Sequence, residues 1–521
     1  MNALAASCPV AVIGCGAMGI GIAQVAARSG HEVKLYDSRP DAAANAIAAI
    51  RRQLGALVNK GKMDPAAASA TCSRLSAVAR LDELSEAGLI IEAIVEDIET
   101  KRALFIELEK HANAECLFAS NTSSISVTAI AACLQRPERL VGMHFFNPAP
   151  VMPLVEIVSG LATDRQAAEA LHATARAWGK TPVSVQSTPG FIVNRIARPY
   201  YLEALRLLHE RVADSVTLDT IMCEAGGFRM GPFELMDLIG LDINLAVTTS
   251  VWQACHCDPR YMPSPIQQEL VAAGWLGRKS GRGFYDYRQD APRTPPRTEP
   301  PHDIPTDIAL CGNGPVAAAL GARLDARGIA YRANRDHEDG RVAMAGGAVI
   351  HVTDGRSATR RATETGMPDT VVIDLALDYT ATPCLAIAVA ESCIGEAGAA
   401  AVGLLQAAGI QVFRLKDAPG LPVMRTLAML ANEAYDAVNQ GIAAPEGIDI
   451  AMRLGANYPR GPLEWAMTIG LATIRTVLRN LGDGYGEDRY RVSPLIEQHY
   501  FAARGQPRHA NWPAADTQSP R

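Results

Sequence analysis

His144 and Glu156 are the residues of this sequence best suited to proton chemistry as a pair. An imidazole titrates near neutral pH, so it can take and return a proton at working pH. A carboxylate on its far ring nitrogen fixes the tautomer and stabilises the imidazolium. His144 opens the string His144-Phe145-Phe146-Asn147-Pro148, which follows the apolar stretch Leu140 to Met143. Glu156 lies inside the strand-like run Leu154 to Val158, where a buried acid needs a partner. On spacing alone the two read either as a base with its orienting acid or as a satisfied core histidine near an unrelated acid. A second polar string, Asn121-Thr122-Ser123-Ser124, leaves the apolar run Cys116 to Ala119. At the carboxyl end of a strand in an α/β sheet, such a string faces the ligand crevice.

The partner chemistry is written near the start. Gly14-Cys15-Gly16-Ala17-Met18-Gly19 has the pattern G-x-G-x-x-G, between a short apolar strand (Val10 to Ile13) and a helix pattern (Ala17 to Ser29). In that setting Gly14 permits the tight turn, Gly16 lets the backbone approach a pyrophosphate, and Gly19 allows close helix–strand packing. The helix N-terminus offers free N–H groups to phosphate. Asp37 ends the next strand, Glu32 to Tyr36, where a carboxylate accepts from both ribose hydroxyls and repels a 2′-phosphate. That favours NAD as cofactor, although Arg39 nearby is the kind of residue that meets a 2′-phosphate. A glycine turn without a ligand is the plainer reading, and Asp37 argues against it. A base poised beside a dinucleotide is the equipment for dehydrogenating an alcohol.

These residues need a scaffold of alternating strands and helices. After the second strand comes a long helical pattern, Ala42 to about Ala79, broken near Gly61 and Pro65. Gly88 to Ile94 and Cys116 to Ala119 follow as buried strands. The alternation predicts a parallel sheet covered on both faces. Helical patterns take over after Pro189-Gly190. Arg288 to Pro305, with prolines at 292, 295, 296, 300, 301 and 305, reads as an extended linker. The plan then recurs. Thr306 to Leu310, Gly347 to Val352, Val371 to Leu375 and Gln411 to Leu415 read as strands, and helices follow Pro419-Gly420. Pro189 to Arg195 matches Pro419 to Arg425, and Gly231-Pro232-Phe233-Glu234 matches Gly461-Pro462-Leu463-Glu464, both at an offset of 230. This is a duplicated module, with a period too long for a solenoid. The copy has lost chemistry. Ala317 stands at the third glycine of Gly312 to Ala317, Met424 stands opposite Asn194, and neither polar string returns.

The expected class is therefore α/β plus all-α, as a Rossmann-like parallel-sheet domain and a helical domain followed by a reduced Rossmann-like domain and a second helical domain. The divisions fall at 1–188, 189–288, a linker at 289–305, then 306–416 and 417–521. Bulk properties agree with a globular protein of several domains: 521 residues, 48% hydrophobic and 20% charged. A net charge of −6 and a pI near 6.0 argue against a nucleic-acid partner. No apolar run reaches the roughly 20 residues that span a bilayer, and Met1 to Pro9 does not resemble a leader, so a cytoplasmic protein with no membrane partner is expected. Eleven cysteines, an odd number, suggest reduced thiols. Cys255-His256-Cys257 has no second ligand cluster, and no metal is expected.

Taken together, the strings Ser120 to Ser124, His144 to Pro148, Pro189 to Arg195, Gly231 to Glu234 and Gly281-Arg282-Gly283-Phe284-Tyr285 resemble those of the 3-hydroxyacyl-CoA dehydrogenase family, in family order across roughly residues 10 to 287. The two-copy layout resembles its long bacterial members, which include 3-hydroxybutyryl-CoA and 3-hydroxyadipyl-CoA dehydrogenases of aromatic-acid (phenylacetate) catabolism. The resemblance implies an acyl-CoA substrate of the S series, oxidised with NAD, with His144 as general base and Glu156 as its partner. It implies that Ser123 and Asn194 hold the substrate oxygen and the nicotinamide region. It places Glu96, Lys101, Asn147 and Lys279 at NAD-contacting positions beside Gly14, Gly16, Ala17, Met18, Gly19 and Asp37, and Lys60 at a position that meets CoA phosphate. Lys60 belongs to a basic stretch with Arg51, Arg52 and Lys62, which reads equally as a solvated helix face. Competing readings are a structural or regulatory NAD-binding protein on the same fold, a free-hydroxyacid dehydrogenase and a hydratase–dehydrogenase fusion. For the last, no unassigned segment remains. The second helical domain leaves two assemblies open, a homo-oligomer or an intrachain pseudo-dimer.

Overall fold

The computed structural model describes residues 2–289, 291, 292, 294–334 and 340–505. Positions 290 and 293 of the expected linker, and the expected second helical domain beyond 505, lie outside the described residues. The first sheet has eight strands in the order β3-β2-β1-β4-β5-β6-β7-β8. They are β1 (Val10–Ile13), β2 (Val33–Tyr36), β3 (Leu75–Ala77), β4 (Leu89–Glu92), β5 (Leu117–Ser120), β6 (Leu140–Phe145), β7 (Leu154–Ser159) and β8 (Thr181–Gln186). All residues of β1, β4 and β6 are buried, as strands covered on both faces must be. One face packs on the helices Ala17–Arg28, Ala42–Asn59 and Arg165–Ala177 through Ile22, Ile50 and Leu171. The other is continuous with the helical units and the second half.

Register brings the functional loops to one edge. Ile13 lies beside Tyr36 and Glu92, and Glu92 beside Ser120. The residues that follow these strand ends, Gly14, Asp37, Ala93 and Asn121, therefore emerge together.

The sheet is not wholly parallel as the alternation suggested. β6 and β7 are antiparallel, with His144 directly opposite Glu156. The connection between them, residues 146–153, is too short for the crossover that parallel strands need. The expected helical stretch Ala42 to Ala79 also ends early. Helices occupy Ala42–Asn59 and Pro65–Ser73, and the last part is β3, an edge strand too short to show alternation.

The second sheet has seven strands: β9 (Ile308–Cys311), β10 (Arg332–Asn334), β11 (Arg341–Ala345), β12 (Ala348–Val352), β13 (Thr370–Ile373), β14 (Cys384–Val389) and β15 (Gln411–Arg414), in the order β10-β9-β11-β12-β13-β14-β15. β10, β11 and β14 were not expected from the sequence. β11 and β12 form a tight hairpin across Gly346 and Gly347, both at positive φ. β14 pairs antiparallel with β13, repeating the β6–β7 arrangement. The Pro-rich segment is docked and not free. Glu299 N–H donates to Val412 O at 2.9 Å, and His302 N–H to Gln406 Oε1 at 2.8 Å.

The two helical units repeat helix for helix: Ser215–Glu224 with Pro445–Gly455, Pro232–Ile239 with Pro462–Ile469, and Leu241–Ala254 with Leu471–Tyr485. The duplicated Gly-Pro-x-Glu string has a structural cause. Asp219 accepts N–H bonds from Phe233 and Glu234, and Asp449 accepts them from Leu463 and Glu464. A Cβ at Gly231 or Gly461 would collide with that aspartate. The units pack on each other through Tyr200, Phe228, Tyr458 and Trp465, whose rings lie 4.5–5.8 Å apart. No single helix among the described residues is long and apolar enough to cross a membrane.

Candidate active site

His144 Nδ1 meets Glu156 Oε2 at 2.6 Å, with both side chains buried. Glu156 Oε1 accepts the backbone N–H groups of Ile192 (3.1 Å) and Val193 (3.0 Å). A carboxylate with no exposed surface is tolerable because each of its oxygens has a donor. With Nδ1 held, Nε2 is the nitrogen left for proton exchange. Phe146 and Phe191 flank the ring, at 4.5 and 5.8 Å between centroids.

The Asn-Thr-Ser-Ser string is locked beside this pair. Asn121 Oδ1 accepts from Phe145 N–H at 2.8 Å, and Glu96 Oε1 accepts from Thr122 Oγ1 and from the N–H groups of Ser123 and Ser124. Asn194 Nδ2 donates to Ser123 O at 3.3 Å. The structure thus gathers His144, Glu156, Ser123 and Asn194, from strands, a loop and a helix start far apart in sequence. It places Asn147 exposed just beyond β6.

Glu96, whose side chain is about one-third exposed, joins the buried ion pair of Lys101 and Glu92. Lys101, 1% exposed, donates to Glu92 Oε1 at 2.6 Å and lies 3.3 Å from Glu96 Oε2. Burial works against the Glu96 carboxylate, but Lys101 and the Thr122 and Ser123 donors outweigh it and hold its pKa below the usual range. As placed, Lys101 serves the site through Glu96. Glu92, which also accepts from Ser120 Oγ at 2.6 Å, was missed in the sequence. Its signal was there: an acid ending the buried strand Leu89–Glu92, level with the glycine turn. The helix Ile98–His111 that carries Lys101 was missed too. Its N-cap Asp97, bonded to Thr100 N–H at 2.8 Å, was legible.

The glycine turn fits a dinucleotide. Gly14 has φ +97°, and a Cβ there would sit 2.5 Å from Ala93 O. A Cβ at Gly19 would collide with Gly14 O, while at Gly16 it would meet open space, the room a pyrophosphate needs. Ala17 and Met18 begin the helix, with no side chain capping its N–H groups. Asp37 accepts from Cys15 N–H at 2.8 Å and from Arg39 Nε and Nη2, both at 2.9 Å. The Arg39 guanidinium holds the Asp37 carboxyl far below the usual carboxylate range. Arg39 is thereby turned back onto Asp37.

Two candidates stand apart from this cluster. Lys279 pairs with Asp242 on the helical side at 2.6 Å, both about two-fifths exposed. Lys60 is exposed at the end of the helix Ala42–Asn59. All eleven cysteines are free, and no cluster of three or more His, Cys, Asp or Glu among the described residues could hold a metal ion.

The second half keeps the strand pairing without the histidine. At the offset that joins Pro189 to Pro419, His144 corresponds to Asp374 and Glu156 to Ala386. Asp374 N–H bonds Ala386 O at 2.9 Å, as expected of paired strands. The Asp374 carboxylate accepts from Val423 and Met424 N–H at 2.8 and 3.1 Å, so it caps the helix start that Glu156 caps in the first half.

Comparison with known proteins agrees with this layout. Residues 9–188 match the family described as 3-hydroxyacyl-CoA dehydrogenase, NAD binding domain. Residues 190–287 and 420–509 match its C-terminal domain, and 350–419 match the 3-hydroxybutyryl-CoA dehydrogenase reduced Rossmann-fold domain. The chain is 42% identical over 496 residues to 3-hydroxyadipyl-CoA dehydrogenase of Escherichia coli K12, covering 95% of this chain and 98% of that one. It is 41% identical to human mitochondrial hydroxyacyl-coenzyme A dehydrogenase over 54% of this chain and 91% of the relative. A crystal structure of 3-hydroxybutyryl-CoA dehydrogenase from Escherichia coli K12 superposes with TM-score 0.87 at 42% identity, covering 96% of this chain and 99% of that one.

Proposed function

From the premise that this chain belongs to the 3-hydroxyacyl-CoA dehydrogenase family and is an NAD-dependent enzyme of it, we propose that it oxidises (S)-3-hydroxyadipyl-CoA or (S)-3-hydroxybutyryl-CoA to the 3-oxoacyl-CoA, in aromatic-acid (phenylacetate) or fatty-acid catabolism. The observation that carries the reaction type is the buried His144–Glu156 pair at 2.6 Å, joined by the Val193 N–H to the segment whose Asn194 bonds the Ser123 loop. The names of the relatives at 42% identity, one for the adipyl and one for the butyryl thioester, support the two substrates.

His144 Nε2 takes the proton of the C3 hydroxyl, and in reverse returns it. Glu156 holds the ring in the tautomer that leaves Nε2 free and stabilises the imidazolium. Ser123 and Asn194 donate to the oxygen as it becomes a carbonyl, where preorganised donors count most. Gly14 to Gly19 and Asp37 would hold NAD, which supplies the hydride acceptor when bound. Glu96, held by the buried Lys101, and Asn147 are assigned to its binding region, Lys279 is assigned to it from the helical side by family resemblance alone, and Lys60 with Arg51 and Arg52 offers charge to the CoA phosphates.

The test is NADH formation from (S)-3-hydroxybutyryl-, longer 3-hydroxyacyl- and 3-hydroxyadipyl-CoA, with free 3-hydroxybutyrate and NADP as controls. The reading expects the highest kcat/KM on the butyryl or adipyl thioester with NAD. A preference for long monocarboxylic chains would overturn the proposed substrates. Equal turnover of the free acid would overturn the role given to CoA.

A further inference from the structure

The segment 192–195 serves the candidate site three times. Ile192 and Val193 N–H hold Glu156, Asn194 bonds the Ser123 loop, and Arg195 follows. The Arg195 guanidinium turns away from the site into the interface between the two helical units, where the residue is 4% exposed. Its Nε donates to Glu433 Oε1 at 2.6 Å and Tyr261 Oη at 3.1 Å, and its Nη1 donates to Gln440 Oε1 at 2.9 Å. Glu433, 1% exposed, lies on the helix Pro422–Asn439 of the second half and is also met by Arg260 and the Tyr261 hydroxyl.

The same pair occurs again with the halves exchanged. Arg425 Nε donates to Glu203 Oε2 at 2.6 Å, and Glu203 also receives Arg489 and Tyr490. Arg195 corresponds to Arg425 and Glu203 to Glu433 at the common offset. Each half thus lends a buried glutamate to the other half's arginine. The residue before the arginine differs: Asn194 in one half, Met424 in the other. One ion pair adjoins a catalytic segment, while its counterpart adjoins a segment without one.

We propose that Glu433, contributed by the degenerate half, is a positioning residue for the dehydrogenation: by fixing Arg195 it fixes the segment that presents Asn194 to the substrate oxygen and two N–H groups to Glu156. The inference rests on the roles given above to Asn194 and Glu156. A buried guanidinium deprived of its carboxylate must move toward another acceptor or toward water. Backbone displacement of about 1 Å at a catalytic group is enough to cost up to about 100-fold in rate. If the pair served only to join the halves, the two glutamates would be equivalent.

The experiment compares full-length Glu433→Gln, Glu203→Gln, Asn194→Ala and the double variant E433Q/N194A by thermal unfolding and steady-state kinetics. Both Gln variants are expected to lower Tm to a similar extent. E433Q is expected to lose about 10- to 100-fold in kcat, with KM for NAD within about twofold, whereas E203Q stays within about threefold of wild type. In the N194A background, E433Q should cost less than about threefold more, because residues acting as a unit are not additive. Equal kcat for E433Q and E203Q, or a full additional loss in the double variant, would overturn the proposal. An N194A enzyme at wild-type rate would remove the Asn194 reading and this inference with it. An impaired N194A beside an E433Q no slower than E203Q would remove the inference alone. Should a Gln variant not fold, E433D against E203D keeps the charge, displaces the carboxylate by one methylene and makes the same comparison.

Discussion

In the proposed NAD site, Asp37 is the side chain placed to set cofactor choice. Its carboxylate receives Cys15 N–H and both donors of the Arg39 fork, and Arg39 keeps it ionised. An ionised acid at that point repels a 2′-phosphate, and the arginine that could welcome one is tied back. Asp37→Ala removes the repulsion and frees Arg39 together. The NAD-over-NADP ratio of kcat/KM should fall by at least about tenfold, as loss of a charge-assisted contact implies. An unchanged ratio would show that selection lies elsewhere. At this scale the sequence was informative about residue type and poor about neighbours. The glycine string and Asp37 could be read because strand, turn and helix are contiguous. His144 and Glu156 could be named, but that they face each other depends on an antiparallel pairing set by a short loop. Asn194 and Lys279 had no local signal and rested on resemblance to a family, while the basic stretch around Lys60 reads equally as a solvated helix face.

Helix starts buried against carboxylates recur through the chain. Asp219 and Asp449 each hold a Gly-Pro helix start, and Asp374 holds the start of Pro422–Asn439. Burial pushes the Asp374 carboxyl up to about 7, Asp219 to about 7 and Asp449 to about 6, despite their N–H donors. An unfolded aspartate titrates near 3.9. Each of these groups therefore contributes stability that is complete below about pH 4 and is lost as pH rises through the raised value. Asp374→Asn abolishes that titration. The variant should lose less Tm than wild type between pH 5 and pH 8, and parallel pH profiles would contradict this placement of the charge. Elements with a strong apolar run, such as β1, β4 and β12, were legible within a residue or two. Those missed were the edge strands β3, β8 and β10, a hairpin arm (β11) and β14, whose sequence Cys-Leu-Ala-Ile-Ala-Val lacks the alternation that separates strand from helix.

At the scale of the molecule, the duplication was readable from a constant offset, but the packing of the copies was not. The structure joins them in one continuous core, with Phe228 against Trp465 at 5.3 Å and buried Arg–Glu pairs crossing both ways. A fragment of residues 1–288 would expose the face around Tyr200 and Phe228, strip Arg195 of Glu433 and Gln440, and strip Glu203 of Arg425, Arg489 and Tyr490. It should self-associate or aggregate in analytical ultracentrifugation, and a soluble monomer with full activity would show that the second half is dispensable.

The central claim is that this NAD-dependent family enzyme works through His144. It is tested most directly by the rate of NADH formation from (S)-3-hydroxybutyryl-CoA with wild type and His144→Ala, with NADH binding checked by fluorescence. His144→Ala is expected to lose at least about 100-fold in kcat with cofactor affinity retained, as removal of a general acid–base group implies. Turnover of H144A near the wild-type rate would contradict it.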